Sequence, residues 1–139
     1  MKYGAAALSI MVLVGAVVAD AQDAAPSIWR GVFTAAQAQR GNEAYQASCS
    51  ACHGSDLRAT NGEAVDLTGP PFRTSWNGKT LQERFEKIRD TMPLGSENTL
   101  SEKTYMDILA FILQFNGFPS GNQDLVPETA KGIVFAEKP

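Results

Sequence analysis

The feature that most constrains this chain is the pentapeptide Cys49-Ser50-Ala51-Cys52-His53. It contains both cysteines and the single histidine of the 139-residue sequence. Two thiols in a Cys-x-x-Cys-His pattern are what covalent attachment of a c-type haem requires, because the thiols add to the porphyrin vinyl groups and the imidazole binds the iron. The motif therefore predicts that Cys49 and Cys52 hold haem c and that His53 is an iron ligand.

Other uses of Cys49 and Cys52 have less support. A zinc site needs further cysteine or histidine ligands, and the sequence has none outside the pentapeptide. A redox-active dithiol of the thioredoxin type needs a βαβ setting, which the flanking sequence does not provide. A plain disulfide is the remaining alternative, and the adjacent His53 favours haem over it.

The composition favours a single globular domain. Hydrophobic residues make up 44% of the chain and charged residues 19%, which is ordinary for a folded domain of this length. The formal net charge of −3 is mild. It gives neither the basic surface that nucleic acid requires nor a polybasic segment for anionic lipid.

Residues 1–21 have the pattern of a signal peptide. Lys2 supplies a positive charge, an apolar run extends from Ala5 to Val18, and Ala19-Asp20-Ala21 has small residues around a cleavage position. We expect cleavage near Ala21 and export to the periplasm or an equivalent compartment. An uncleaved membrane anchor is the alternative, but the apolar run is shorter than the roughly 20 residues that span a bilayer, so no stable anchor is expected.

The mature chain predicts a few helices joined by long loops, which is an all-α fold. Thr34 with Gln37 and Thr80 with Glu83 have the spacing of capping boxes, and Ser101 precedes a long apolar run as a helix cap. The predicted organisation is an extended lead-in (22–33), a helical domain (34–117) and a C-terminal extension packed on that domain (118–139). Within the domain, residues 54–71 are predicted to be a loop that faces the haem.

The sixth iron ligand determines what the haem can do. A thioether closes the iron to substrates, raises its potential and favours electron transfer, whereas an open position lets the iron bind small ligands or peroxide. Met1 and Met11 belong to the predicted leader, which leaves Met92 and Met106. Met106 lies inside the apolar last helix, where methionine commonly fills the core. Met92 lies in a predicted loop, and we favour it as the ligand.

Several other residues are candidates for contacts with the haem or with a partner. The second ring nitrogen of His53 needs an acceptor, and the sequence indicates a carbonyl in the Gly69-Pro70 segment. Trp76 and Arg73 can bind a haem propionate through the indole N–H and the guanidinium group, and Trp76 is equally typical of a core residue. Residues 73–90 carry five basic and three acidic side chains, which form either a docking patch for an acidic partner or a solvated helix face.

These residues resemble the monohaem class I c-type cytochromes over about Thr34 to Gly117. The resemblance is carried by the Cys-x-x-Cys-His pentapeptide, Gly69-Pro70, Thr91-Met92-Pro93 and the last helix. It implies the small cytochrome c fold around one haem, thioether bonds at Cys49 and Cys52, axial ligation by His53 and Met92, and a hydrogen bond from His53 to the carbonyl of Pro70. It also implies that the first and last helices cross, with Gly41 and Tyr45 against Ile108 and Phe111.

The function that this resemblance implies is electron transfer between exported redox proteins, with no catalytic residue. A periplasmic dehydrogenase and a terminal oxidase are the candidate partners. One alternative is a fixed cytochrome subunit of a periplasmic dehydrogenase, such as a quinoprotein, with residues 118–139 as a docking arm. Another is a five-coordinate haem that binds small ligands.

Overall fold

The computed structural model describes residues 27–138, and helices joined by loops make up this part of the chain. The α-helices are α1 (Ala35–Ser48), α2 (Ser50–His53), α3 (Gly69–Trp76), α4 (Leu81–Thr91), α5 (Glu102–Phe115) and α6 (Pro127–Ala130). Between residues 27 and 138 the only β-type pairings are two isolated bridges, Thr34 with Gly121 and Thr80 with Val134. The predicted all-α class is confirmed. The predicted leader, residues 1–21, lies outside the described residues.

The three predicted helix starts are confirmed by their caps. The Thr34 hydroxyl accepts a hydrogen bond from the Gln37 amide at 3.0 Å, which begins α1. Thr80 and Glu83 form a complete capping box at the start of α4. The Ser101 hydroxyl accepts from an amide of the first turn of α5 at 3.1 Å. Each cap satisfies an amide that would otherwise lack an intrahelical partner.

Helices α1 and α5 cross at a close contact, as expected. A Cβ atom on Gly41 would overlap the carbonyl of Asp107, so only glycine lets the two backbones come this near. One turn further along, the Tyr45 and Phe111 rings pack with centroids 5.2 Å apart. The crossing fixes the direction in which α1 leads into the Cys-x-x-Cys-His motif.

Helix α3 replaces the end of the loop predicted for residues 54–71. Its first turn contains Pro70 and Pro71, where a missing amide hydrogen costs no intrahelical bond. Phe72 and Trp76 are one turn apart and both are buried, with ring centroids separated by 4.6 Å. The pair of prolines therefore starts a helix, and the loop comprises residues 54–68.

The described part of the lead-in, residues 27–33, is folded into the core. Ile28–Arg30 forms a turn of 3-10 helix, and Ile28 and Phe33 have no solvent-exposed surface. The Trp29 ring packs on Phe118, with centroids 4.4 Å apart. The prediction of an extended lead-in is wrong here, because three large apolar side chains in a short segment favour burial over extension.

The C-terminal extension contributes several side chains to the same core. Its buried apolar residues are Phe118, Leu125, Ala130, Ile133 and Phe135. The extension also pairs with the backbone before α4, because the Leu81 amide donates to Ile133 at 2.9 Å and the Phe135 amide donates to Lys79 at 2.8 Å. This segment thus connects the N-terminal part of the fold to the start of α4.

Gln37 links α1 to the extension. The sequence predicted that its side chain folds back onto the Thr34 amide, but the structure directs it to Leu125. Gln37 Nε2 donates to the Leu125 carbonyl at 2.8 Å, and the Leu125 amide donates to Gln37 Oε1 at 2.7 Å. Leu125 is buried, so its backbone N–H and C=O both need hydrogen-bond partners. The Gln37 side-chain amide supplies both, and it is therefore not used to cap α1.

Candidate haem-binding site

The end of α1 and all of α2 present the pentapeptide at one place on the surface. The Cys49 amide donates to Tyr45 at 2.8 Å and the His53 amide donates to Cys49 at 3.0 Å, so the motif continues the helical hydrogen bonding. Both thiols are free; Cys49 is half-buried and Cys52 is exposed. The Cys49 side chain therefore packs on the core, and the Cys52 side chain lies at the surface.

The acidity of Cys49 argues against a redox-active dithiol. Burial, together with the nearby Cys52 thiol, raises the pKa of Cys49 to about 11. The attacking cysteine of a redox Cys-x-x-Cys motif instead has a lowered pKa, about 3.5 to 7.5. Cys49 is therefore protonated at neutral pH and is a weak nucleophile for thiol–disulfide exchange.

His53 is held in one orientation by a backbone carbonyl. Its side chain is buried, and Nδ1 lies 2.9 Å from the Val65 carbonyl oxygen. With Nδ1 donating to that oxygen, Nε2 is left as the nitrogen that can bind a metal. The acceptor is Val65 and not Pro70, because Pro70 lies in the first turn of α3, where carbonyls accept intrahelical hydrogen bonds.

The loop of residues 54–68 brings the Val65 carbonyl to His53. The Leu57 side chain is fully buried, and the Leu67 amide donates to the Leu57 carbonyl at 2.8 Å. The Asn116 side chain donates to the Leu67 carbonyl at 2.9 Å, which ties this end of the loop to α5. Val65 lies between these anchors with an exposed side chain and an inward carbonyl.

The two methionines considered as sixth ligand have different environments. Met92 is the C-terminal cap of α4 and is half-buried, and its carbonyl accepts a hydrogen bond from Tyr105 Oη at 2.8 Å. Met106 is buried among the apolar side chains of α5. Met92 therefore lies where α4 ends and the exposed loop begins, whereas the Met106 side chain fills a position in the core.

Trp76 lies in the aromatic core, and its cationic neighbour is Arg84. Its ring is 6.1 Å from that of Phe135, while Arg73 on the same helix is exposed. The Arg84 guanidinium lies 5.8 Å from the Trp76 ring centroid. Arg84 Nε is buried and has no hydrogen-bond partner among residues 27–138, which is the condition of a donor that a bound anionic group can satisfy.

The basic charges of residues 73–90 are partly paired. Lys79 Nζ is 3.8 Å from Glu83 and Arg89 Nε is 2.7 Å from Asp90, and all four side chains are substantially exposed. Exposed pairs of this kind contribute little to stability. The pairs neutralise Lys79 and Arg89, whereas Arg73, Arg84 and Lys87 form no salt bridge among residues 27–138, so this stretch keeps a local excess of positive charge.

The donor set fits haem c and fits a protein-bound metal ion poorly. In the part of the chain that the structure describes, no three His, Cys, Asp or Glu side chains come together to hold a metal ion. The motif instead offers two thiols and one oriented imidazole, and Met92 offers a thioether. These are the groups that attach and ligate a c-type haem.

The helix crossing and the pentapeptide define this chain as a monohaem c-type cytochrome, an electron-transfer protein with haem c as its cofactor. Residues 36–112 match the family described as cytochrome c oxidase, cbb3-type, subunit III, and the chain belongs to that family. The matched segment includes the pentapeptide, Met92 and most of α5.

The fold is similar to one found in a solved enzyme. A chain of the sulfane dehydrogenase SoxCD from Paracoccus pantotrophus superposes with a TM-score of 0.54 at 22% sequence identity. The match covers 76% of this chain and 53% of that one, so the present chain spans about half the length of its structural relative. No curated protein matched the sequence.

None of the described helices is long and apolar enough to cross a membrane.

Proposed function

We propose that this protein carries one electron at a time on a haem c attached to Cys49 and Cys52, with His53 and Met92 as axial ligands. The observation that carries the proposal is the hydrogen bond from His53 Nδ1 to the Val65 carbonyl at 2.9 Å. That bond selects the tautomer whose Nε2 lone pair is free, and it fixes the plane of the ring. When bound, haem c supplies a one-electron redox couple.

The chain's own residues would keep this site closed to chemistry other than electron transfer. The carbonyl of Val65 keeps the imidazole from rotating, and the half-buried Met92 supplies a thioether from the C-terminus of α4. Two retained protein ligands leave no open position, so no substrate is bound or transformed and no catalytic residue is assigned. Arg84, with Trp76 beside it, offers a buried donor to a haem propionate.

We further propose that the protein works outside the cytoplasm, in the periplasm, with redox proteins as donor and acceptor. The apolar segment and the small residues before Gln22 support export. The family is described as an oxidase subunit, and the structurally similar chain comes from a dehydrogenase. Both descriptions support a terminal oxidase or a periplasmic dehydrogenase as partner.

A fixed subunit of a dehydrogenase complex is the second candidate, but residues 118–138 do not form a separate docking arm. Phe118, Leu125 and Phe135 are buried in the core, so this segment is part of the haem domain's own structure. An interface with a larger enzyme would use the exposed surface of the domain. Deleting the segment would therefore disturb the domain as well as any docking.

The test compares two size-conserving substitutions, Met92→Leu and Met106→Leu, in the haem-loaded protein. Each removes one thioether, and Leu and Met have similar volumes, so core packing is largely retained. The oxidised wild type and Met106→Leu should show the weak sulfur-to-iron charge-transfer band in the near infrared, and Met92→Leu should lose it. A wild type without this band whose reduced form binds carbon monoxide at neutral pH would support the five-coordinate alternative and refute the proposal.

A further inference from the structure

We propose that Tyr105 is the positioning residue of the sixth ligand: its phenol fixes the Met92 backbone to α5 and thereby keeps the thioether on the iron. The Tyr105 side chain is buried, and Oη donates to the Met92 carbonyl at 2.8 Å. This inference rests on the proposed ligation of the iron by Met92. It adds a residue that is not itself one of the proposed iron ligands.

The segment that carries Met92 has few other attachments. The Met92 amide donates to Ile88 and the Asn98 amide donates to Arg89, both within or next to α4. The remaining hydrogen bonds of residues 93–99 stay inside the segment, which is mostly exposed. Among the hydrogen bonds of the described residues, the Tyr105 bond is the one that joins residues 92–99 to an element other than α4.

Helix α5 is a rigid anchor for that bond. Tyr105 is next to the segment of α5 that crosses α1 at Gly41, where the two backbones are in direct contact. Nine consecutive residues of α5, 105–113, are buried. The Met92 backbone can move away from α5 only if the phenol bond breaks, so any release of the thioether that displaces this backbone is coupled to loss of that bond.

The consequence concerns competition for the sixth position. An external ligand binds the iron only in the fraction of molecules whose thioether has left, so its apparent affinity measures that fraction. Removing one hydrogen bond that is made only in the closed arrangement should raise the fraction by up to about tenfold. If the bond merely stabilises the fold, its removal should lower the free energy of unfolding and leave the apparent affinity for the external ligand unchanged.

Tyr45 provides a matched control. Its phenol is also buried and also donates to a backbone carbonyl at 2.8 Å. The acceptor is Gly54, which directly follows the pentapeptide and is not part of the segment that carries Met92. Tyr105→Phe and Tyr45→Phe each delete one hydroxyl and keep the ring. The two variants should lose similar free energy of unfolding, so they separate a general loss of stability from a local effect on Met92.

The experiment titrates the oxidised, haem-loaded protein with imidazole and follows loss of the near-infrared band. We expect Tyr105→Phe to bind imidazole more tightly than wild type, by up to about tenfold, and Tyr45→Phe to bind it as wild type does. Backbone hydrogen exchange of residues 94–99 should rise in Tyr105→Phe alone, which gives a second measurement independent of the iron.

The outcomes separate this inference from the proposed function. If the wild-type band is present and is lost in Met92→Leu, but both tyrosine variants bind imidazole alike and exchange alike, the role of Tyr105 is refuted and the ligand assignment stands. If the wild type lacks the band, the assignment of Met92 fails and the inference fails with it.

Discussion

The backbone of Gly41 in α1 lies directly against the carbonyl of Asp107 in α5. At this point no side chain fits between the two helices. The crossing sets the positions of both ends of the site, because α1 leads into Cys49 and α5 carries Tyr105, whose phenol holds Met92. A change at Gly41 should therefore affect the whole domain.

Gly41→Ala should lower the free energy of unfolding by about 1–3 kcal/mol, the range for overpacked cores. Helix propensity alone predicts the opposite sign, since alanine is about 1 kcal/mol better than glycine in a helix interior. The added methyl group would meet backbone, which cannot move aside as a flexible side chain can. Denaturant unfolding of the haem-loaded protein measures the difference.

Gly62→Ala is the control for that measurement, because no atom lies within 4 Å of the position that its Cβ would take. It should leave the midpoint of unfolding nearly unchanged. A Gly41→Ala protein as stable as Gly62→Ala would show that the two helices can separate without cost, contrary to the contact seen here.

The C-terminal extension should behave as core. Phe135→Ala removes a buried ring that packs against Phe72 and Phe118, and should cost about 3–5 kcal/mol. Val134→Ala is the adjacent control, because the Val134 side chain is 44% exposed. It should cost less than about 1 kcal/mol. Thermal or denaturant unfolding of the two variants measures this difference. A large loss for Phe135→Ala alone shows that the extension is part of the core and is not a separable arm.

Truncation of the C-terminal extension is a second test of whether it belongs to the core. Deleting residues 119–139 removes Leu125, Ala130, Ile133 and Phe135 from the core and should prevent a stable, haem-loaded domain from accumulating. A truncated protein with the wild-type haem spectrum and unfolding midpoint would instead identify the extension as a separable arm.

Local patterns in the sequence predicted the features that local physics determines. Thr34, Thr80 and Ser101 cap helices because a hydroxyl at that position satisfies an amide three residues later. A glycine at position 41 of a helix interior has a cost that the close approach of another helix explains. That the approaching helix is α5 was predicted only from the resemblance to class I c-type cytochromes.

Contacts between segments far apart in sequence were not predictable in the same way. Gln37 has the spacing of a capping box, and nothing near it indicates that Leu125 would take its side chain. The Gly69-Pro70 pair reads equally as a rigid turn or as the first turn of a helix, so the acceptor for His53 was misplaced. The sequence could not identify Val65 as the acceptor, because the acceptor is a backbone carbonyl, which every residue has.

Gln37→Ala tests the link between α1 and the extension. It leaves the buried amide and carbonyl of Leu125 without partners, and should cost about 1–3 kcal/mol. Gln46→Ala is the matched control on the same helix, because Gln46 is exposed and its hydrogen bonds are open to water. Equal unfolding midpoints for the two variants would contradict a structural role for Gln37.

A final prediction concerns acid stability and Asp107. Burial opposes ionisation of this carboxyl group, but hydrogen bonds from Arg40 at 3.0 Å and Lys103 at 2.7 Å outweigh it and lower its pKa. A lowered pKa means that the folded state holds its proton less tightly than the unfolded state. The resulting stabilisation is present above the unfolded pKa of about 3.9, and it is lost as the pH falls through the lower folded value.

Asp107→Asn should therefore be less stable than wild type by about 1–3 kcal/mol near neutral pH, because Arg40 and Lys103 lose a buried, charged acceptor. The difference should begin to shrink below about pH 4, where the carboxyl group of the unfolded wild type becomes protonated, and should shrink further as the pH falls through the lowered pKa of the folded state. Glu43→Gln removes the same charge from the exposed face of α1 and should stay within about 0.5 kcal/mol of wild type. Unfolding measured from pH 7 to pH 3 checks this, and a difference that persists unchanged at the acid end would show that Asp107 stabilises the crossing by shape and not by charge.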